Sequence, residues 1–213
     1  MLIKELSLAK TRVRTVPETV TLEEALELLE EYGYRCVPIV DETGTIYRGN
    51  IYRMHLYKHK SEGKDMSLPV THLLKNATKY VHTYSSFYSI FFMIKDLPYI
   101  TVLDENNHFY GILTHSALIN LLEQSWKIDS GSFVLTIAAG GETGDLANIS
   151  RAVNRYADII SVITLDPEES SIRRTIMTLG PDSTIEDVEK IRTLLDRRGY
   201  GVLQVENLRE LND

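Results

Sequence analysis

The sequence predicts an α/β (α+β) chain of two domains, and three observations carry that prediction. Residues 1–126 repeat one helix-strand-strand-helix order after about sixty positions, residues 132–208 run in the order βαββαβ, and composition shifts between the two parts. At 213 residues the chain is long enough for each part to bury its own core.

In the first repeat, about residues 1–62, Leu22, Ala25, Leu26, Leu28 and Leu29 recur at helical spacing, and Thr21 followed by Glu24 makes a capping-box start. An apolar run at 36–40 predicts a buried strand. The turn Asp41-Glu42-Thr43-Gly44 leads into a second strand over 46–52 that carries Gly49, and a helix begins near Arg53. The second repeat, about residues 63–126, puts Ile90, Phe91, Met93 and Ile94 on a helix, then offers a strand over 99–103 and the turn Asp104-Glu105-Asn106-Asn107. A strand containing Gly111 and a helix with Leu118, Leu121 and Leu122 complete it. Asp41 aligns with Asp104, Gly49 with Gly111, and Tyr52 with Thr114. Two such copies predict a pseudo-two-fold pair of small α/β units with a crevice between them.

Residues 127–131 are polar and carry a glycine, which predicts a linker. Beyond it come a strand over 133–139, a glycine loop over 140–144, and a helix over 145–157 with Leu146, Ile149, Val153 and Tyr156 on one face. A strand over 159–165, a turn at Asp166-Pro167, a strand over 173–179 and a turn over 180–183 follow. A helix over 184–198 carrying Val188, Ile191, Leu194 and Leu195 precedes the closing strand over 202–205. That order is the split, ferredoxin-like βαββαβ unit.

The net charge of −7 argues against general attraction to DNA, RNA or anionic membranes. Residues 1–126 hold 13 Lys and Arg against 15 Asp and Glu, residues 127–213 hold 10 against 15, and all six histidines and ten of twelve tyrosines lie in the first part. No apolar run approaches the ~18 residues of a membrane span, and Lys4, Glu5 and Lys10 leave no signal-peptide core, so the expected location is cytoplasmic. Cys36, the one cysteine, has no partner for an internal disulfide or a cysteine-rich zinc site, and reads as a small buried residue beside Val37. His55 and His59 have i, i+4 spacing, but Lys58 and Lys60 flank His59 and repel a cation; no metal site is expected.

The segments "VPIVDETGTIYRGNIYR" and "ITVLDENNHFYGILTHSAL" together resemble a tandem cystathionine-β-synthase (CBS) domain pair, or Bateman module, over about residues 1–126. The resemblance implies a cleft with two related sites for adenosine-containing ligands. Each site combines a threonine or serine after the second strand, an aspartate three residues on that takes the ribose hydroxyls, and backbone around a Pro-hydrophobic strand segment. Thr114 stands at the hydroxyl position of the second repeat, with Ala117 in the aspartate's place; Tyr52 and His55 take those positions in the first repeat. Arg35, Val37, Pro38 and Tyr99 complete the implied lining. Neither site has the carboxylate that grips a ribose 2′,3′-diol. A ligand whose 3′ oxygen is already esterified has no need of it, so cyclic di-AMP, bound by some small bacterial CBS-pair proteins, stands ahead of AMP and ATP.

Other residues suit such a ligand. Tyr34, Tyr52, Tyr84 and Tyr99 are placed to rim the cleft, where an aromatic face stacks on a base for roughly 1–3 kcal/mol. Arg12, Arg14, Arg35, Arg53 and Lys79 can pair with phosphate. His55 and His115 sit at or beside the motif positions. Thr114 also suits the N-cap of the helix that follows it.

The loop "GGETGDLANIS" resembles the ACT domain, a ferredoxin-like regulatory module that often binds amino acids, over about residues 132–208. The resemblance implies an effector site at Gly141, Gly144, Asp145 and Leu146, shared across a dimer; the plainer reading is that these glycines serve tight backbone geometry. No Lys-Ser/Thr follows them, so the loop is not a Walker P-loop. No HExxH, GxSxG or Cys-His signature is present. Both resemblances are to regulatory modules. The expectation is therefore a non-catalytic, homodimeric sensor without a cofactor, taking a small-molecule adenine nucleotide and acting on a partner protein of unknown identity. The alternative is an amino-acid-sensing or assembly module that works through the ACT-like half.

Overall fold

The computed structural model describes residues 3–165 and 172–211, and the chain divides into two compact units, Met1–Ile119 and Asn120–Asp213. The expected turn at Asp166-Pro167 lies outside the described residues.

The first unit opens with α1 (Ile3–Leu6), β1 (Leu8–Ala9) and β2 (Val16–Pro17), then α2 (Leu22–Glu31), β3 (Cys36–Val40), β4 (Tyr47–Tyr52) and α3 (Arg53–Ser61). The second repeat supplies β5 (Tyr80–His82), α4 (Ser89–Met93), β6 (Tyr99–Leu103), β7 (Phe109–Thr114) and α5 (His115–Trp126). α2 starts as its sequence dictates, with Thr21 and Glu24 closing a full capping box. The division between units falls inside α5, seven residues before the boundary that composition indicates at 126.

The repeat is visible in the pairing. β2 runs parallel to β3 and β5 parallel to β6, while β3–β4 and β6–β7 are antiparallel hairpins. Both hairpins shift register at the corresponding place, between Ile39 and Val40 and between Val102 and Leu103. The sheets are β2-β3-β4 and β1-β7-β6-β5. Each has its own core, and a third cluster joins them: Cys36, Val40 and Tyr47 from the first repeat with Tyr99, Leu103, Phe109 and Ile112 from the second.

One assignment differs from the sequence expectation. The N-terminal segment, counted with the first repeat, packs on the second: Leu8 and Ala9 pair with Ile112 and Gly111, and Ile3 is fully buried in the second repeat's core. The exchange is reciprocal, because Lys75 and Asn50 trade both backbone hydrogen bonds on the other hairpin. The strand glycines exist for these crossings. A Cβ on Gly111 would collide with the Leu8 carbonyl oxygen, and one on Gly49 would lie 2.6 Å from Leu74 Cγ and 2.9 Å from the Lys75 oxygen.

α4 is shorter than its apolar pattern suggests, five residues followed by a 3₁₀ turn at Ile94–Asp96. It has no side-chain cap, and Pro98 disfavours helical backbone at Leu97. Ile90 and Ile94 are buried while Phe92 is exposed.

The second unit contains β8 (Phe133–Ala139), α6 (Asp145–Val153), β9 (Ile159–Leu165), β10 (Arg173–Leu179), α7 (Ile185–Asp196), β11 (Gly201–Asn207) and α8 (Leu208–Leu211). Its antiparallel sheet has the order β11-β8-β10-β9, the ferredoxin-like arrangement expected, over a core that includes Leu135, Ile137, Ile149, Val153, Met177 and Ile191. α6 ends at Val153 rather than 157: Asn154, a poor helix former, caps it, and Tyr156 lies outside with its ring partly exposed. β11 extends beyond 202–205 and is irregular between Val202 and Gln204. Residues 127–130 form a turn in which Lys127, Asp129 and Ser130 are exposed. Gly131 sits so close to Thr178 and Leu208 that a Cβ would meet both, and Thr178 Oγ1 donates to the Trp126 carbonyl at 2.9 Å.

Candidate functional site

The register of the two hairpins puts unlike pairs at the two ends of the first unit's seam. On one side Tyr99 of β6 faces Thr114 at the end of β7; on the other Cys36 of β3 faces Tyr52 at the end of β4. The Thr114 side is open. A cavity of about 260 Å³ lies there, walled by Cys36, Val37 and Pro38 of β3, by Tyr99 and by Thr114. Leu8 of the crossing segment and Ile112 of β7, its partner in register, form an apolar floor.

Two cations and a second tyrosine reach the same cavity. Arg12 and Arg14, from the segment between β1 and β2, line it together with Tyr34. Arg14 is held in place: its guanidinium lies over the Tyr32 ring, 4.8 Å from the centroid, and Tyr32 stacks on Tyr34 at 6.0 Å with planes 13° apart. None of the described lining residues is acidic. Burial drives the Cys36 thiol up to about 11 and the Tyr99 phenol well above its usual value, so both are neutral at pH 7 and the arginines set the cavity's charge.

Thr114 takes the N-cap role foreseen for it and also lines the cavity. Its Oγ1 accepts the Ala117 N–H at 3.2 Å, which caps α5, and the hydroxyl hydrogen remains free to donate into the cavity. Ala117 takes part only through that backbone group, packed against the second repeat's core.

The structure thus gathers Val37, Pro38, Tyr99 and Thr114 of the predicted set, with Arg12, Arg14 and Tyr34 from the candidate cations and tyrosines. It does not bring the others there. The Tyr52 hydroxyl accepts from Asn76 Nδ2 on the Cys36 side, and His55 faces the Tyr52 ring at 5.4 Å with its Nδ1 buried and unpartnered. Arg35 is exposed and meets the motif only through its carbonyl, which accepts the Arg53 N–H at 3.0 Å. Tyr84 stacks on His82, and His115 Nδ1 lies 3.2 Å from the Pro98 carbonyl. Leu8, Val13 and Ile112 were missed by sequence. The available signal was Gly111, a strand glycine that marks a close backbone approach without naming what approaches.

In the second unit, Gly141 and Gly144 have left-handed backbone, φ 81° and 99°, and Gly144 is the N-cap of α6. The Asp145 carboxylate accepts the Glu142 N–H at 2.9 Å and the Tyr200 hydroxyl at 3.0 Å, which ties the loop to the start of β11, and Leu146 is half exposed. Among the described residues no group of three His, Cys, Asp or Glu side chains is placed to hold a metal ion, and no helix is long and apolar enough to cross a membrane.

Residues 3–62 match the family model of the CBS domain. Solved CBS-pair structures share the fold. CbpB in complex with c-di-AMP superposes with a TM-score of 0.53 at 18% identity, over 58% of this chain and 85% of that one. A CBS domain-containing protein of unknown function from Bacillus anthracis gives 0.52 at 26% identity, over 58% and 94%. CBSX2 in complex with AMP gives 0.51 at 18% identity, over 58% and 96%. No curated protein sequence is significantly similar to this chain. The first repeat is therefore a CBS domain, set in a CBS-pair fold.

Proposed function

We propose that this chain is a non-catalytic sensor that takes an adenine nucleotide into the cleft between Arg12, Arg14, Val37, Tyr99 and Thr114. The observation that carries the reading is the convergence of two arginines, a free hydroxyl donor and an apolar, aromatic wall on one cavity of about 260 Å³. A purine fits the apolar wall, phosphate pairs with the guanidinium groups, and Thr114 donates to ribose or phosphate oxygen. The solved CBS-pair proteins in complex with c-di-AMP and with AMP support the same ligand class.

Cyclic di-AMP remains the first candidate, because Ala117 and His55 supply no carboxylate for a free ribose diol. The cavity lies just below the ~300–1,000 Å³ usual for ligand pockets, room for one nucleotide half. A cyclic dinucleotide would then place its other half against a second copy of the chain, in a cytoplasmic homodimer. Ligand binding would act by shifting the populations of conformations that a partner protein reads.

Thermal unfolding of the full chain with AMP, ATP, cyclic di-AMP and a panel of amino acids tests this. A binder of the folded state raises the midpoint by mass action. The proposal expects an adenine nucleotide to do so, and Thr114→Val to reduce the shift. Stabilisation by an amino acid alone, abolished by Gly144→Ala, would assign the sensing to the second unit instead.

A further inference from the structure

We infer that each chain holds one nucleotide and not two, because Tyr52 and its hydrogen-bonded neighbours fill the pseudo-symmetric counterpart of the open cleft. The inference rests on reading that cleft as the nucleotide site.

The correspondence follows from strand register. Thr114 faces Tyr99 across one hairpin as Tyr52 faces Cys36 across the other, and Leu8 lies opposite Ile112 as Lys75 lies opposite Asn50. Where the open side has a threonine, the counterpart has a tyrosine ring; where the open side has Ile112, the counterpart has Asn50, only 1% exposed.

These substitutions lock together. Asn76 Nδ2 donates to the Tyr52 hydroxyl, and the Tyr47 hydroxyl donates to the Asn76 carbonyl at 3.1 Å. Asn76 holds a left-handed backbone, φ 58°, which asparagine tolerates better than most residues. The Tyr99 hydroxyl donates to Asn50 Oδ1 at 2.8 Å from within the seam. Tyr47, Tyr52, Asn76, Tyr99 and Asn50 thus satisfy one another, while His55 Nδ1 beside the Tyr52 ring and Thr101 Oγ1 are buried on the same side without a partner. A nucleotide entering there would have to expel the Tyr52 ring and break the bond to Asn76. Tyr99 links the two sides, its ring walling the open cleft while its hydroxyl is anchored on the closed one.

Calorimetric titration of the full chain with AMP and with cyclic di-AMP tests the count. The expected result is saturation at no more than one molecule of either per chain, with affinity weakened in Arg12→Glu, which alters only the open side. Folded Tyr52→Thr, checked by circular dichroism, is expected to take two AMP. Two molecules per wild-type chain would overturn the inference and leave the nucleotide reading intact, whereas unchanged affinity in Arg12→Glu would overturn the assignment of the cleft on which the inference rests. Folded Tyr52→Thr that still takes one would overturn the assignment of Tyr52 as the closure. Absence of binding by both nucleotides would overturn the nucleotide reading itself.

Discussion

The Tyr99 hydroxyl donates to Asn50 Oδ1 at 2.8 Å, a bond between two buried side chains 49 positions apart that belong to different repeats. Cys36 Sγ lies 3.5 Å from the same hydroxyl oxygen, and since that oxygen's hydrogen is committed to Asn50, the thiol is the donor. The seam between the repeats is therefore fixed by directional bonds as well as by apolar contact. Tyr99→Phe keeps the ring but leaves Asn50 Oδ1 buried without this donor, at a cost of about 1–3 kcal/mol. Urea unfolding measures it; an unchanged midpoint and slope would contradict the role given to this bond.

Gly111 lies under the crossing N-terminal segment, and any Cβ there meets the Leu8 carbonyl oxygen. Gly111→Ala is expected to destabilise the chain by roughly 1–3 kcal/mol through overpacking against backbone that cannot yield. Gly44 sits in an open turn where an added Cβ would find nothing within 4 Å, so Gly44→Ala reports only its left-handed backbone, φ 69°. Equal, small losses in both variants would remove the crossing as the reason for Gly111.

Asp41 is held down to about 2 by the Thr43 hydroxyl and by the backbone N–H groups of Ile46 and Thr45. A carboxyl depressed from its ordinary 3.8 adds stability that is present above that value and fades as pH falls through about 2. Wild type is expected to exceed Asp41→Asn at neutral pH, with the two curves converging across that acid window. Parallel curves from pH 7 to pH 2 would sink this account of the turn.

Cys36 is buried, and its thiol is pushed up to about 11 chiefly by burial. It is protonated at neutral pH although it lines the cavity, so the native chain is expected to react with a sulfhydryl reagent far more slowly than the unfolded chain, which takes one equivalent. Native labelling as fast as that of the unfolded chain would contradict the raised thiol.

The repeat was legible because its signals are local. Asp41 and Asp104 each fold back onto N–H groups of their own turns, and each is followed by a strand glycine that a crossing segment requires. The crossing segment itself was not legible, since a two-residue strand such as Leu8–Ala9 has no periodicity to read. Tyr52 illustrates the limit at the site. A tyrosine at a strand end can rim a cleft or fill one, and the choice here depends on Asn76, 24 positions away. The close fit at Gly131 was not legible for a similar reason, because it faces Thr178 and Leu208 from distant parts of the chain.

The most direct test of the central claim is calorimetric affinity for cyclic di-AMP and AMP, compared between wild type and the double variant Arg12→Glu, Arg14→Glu. The account predicts saturable binding by wild type of at least one of them and affinity at least about tenfold weaker in the double variant, because charge-assisted phosphate contacts are lost. No saturable binding of either nucleotide by wild type, or equal affinity in the two proteins, would contradict it.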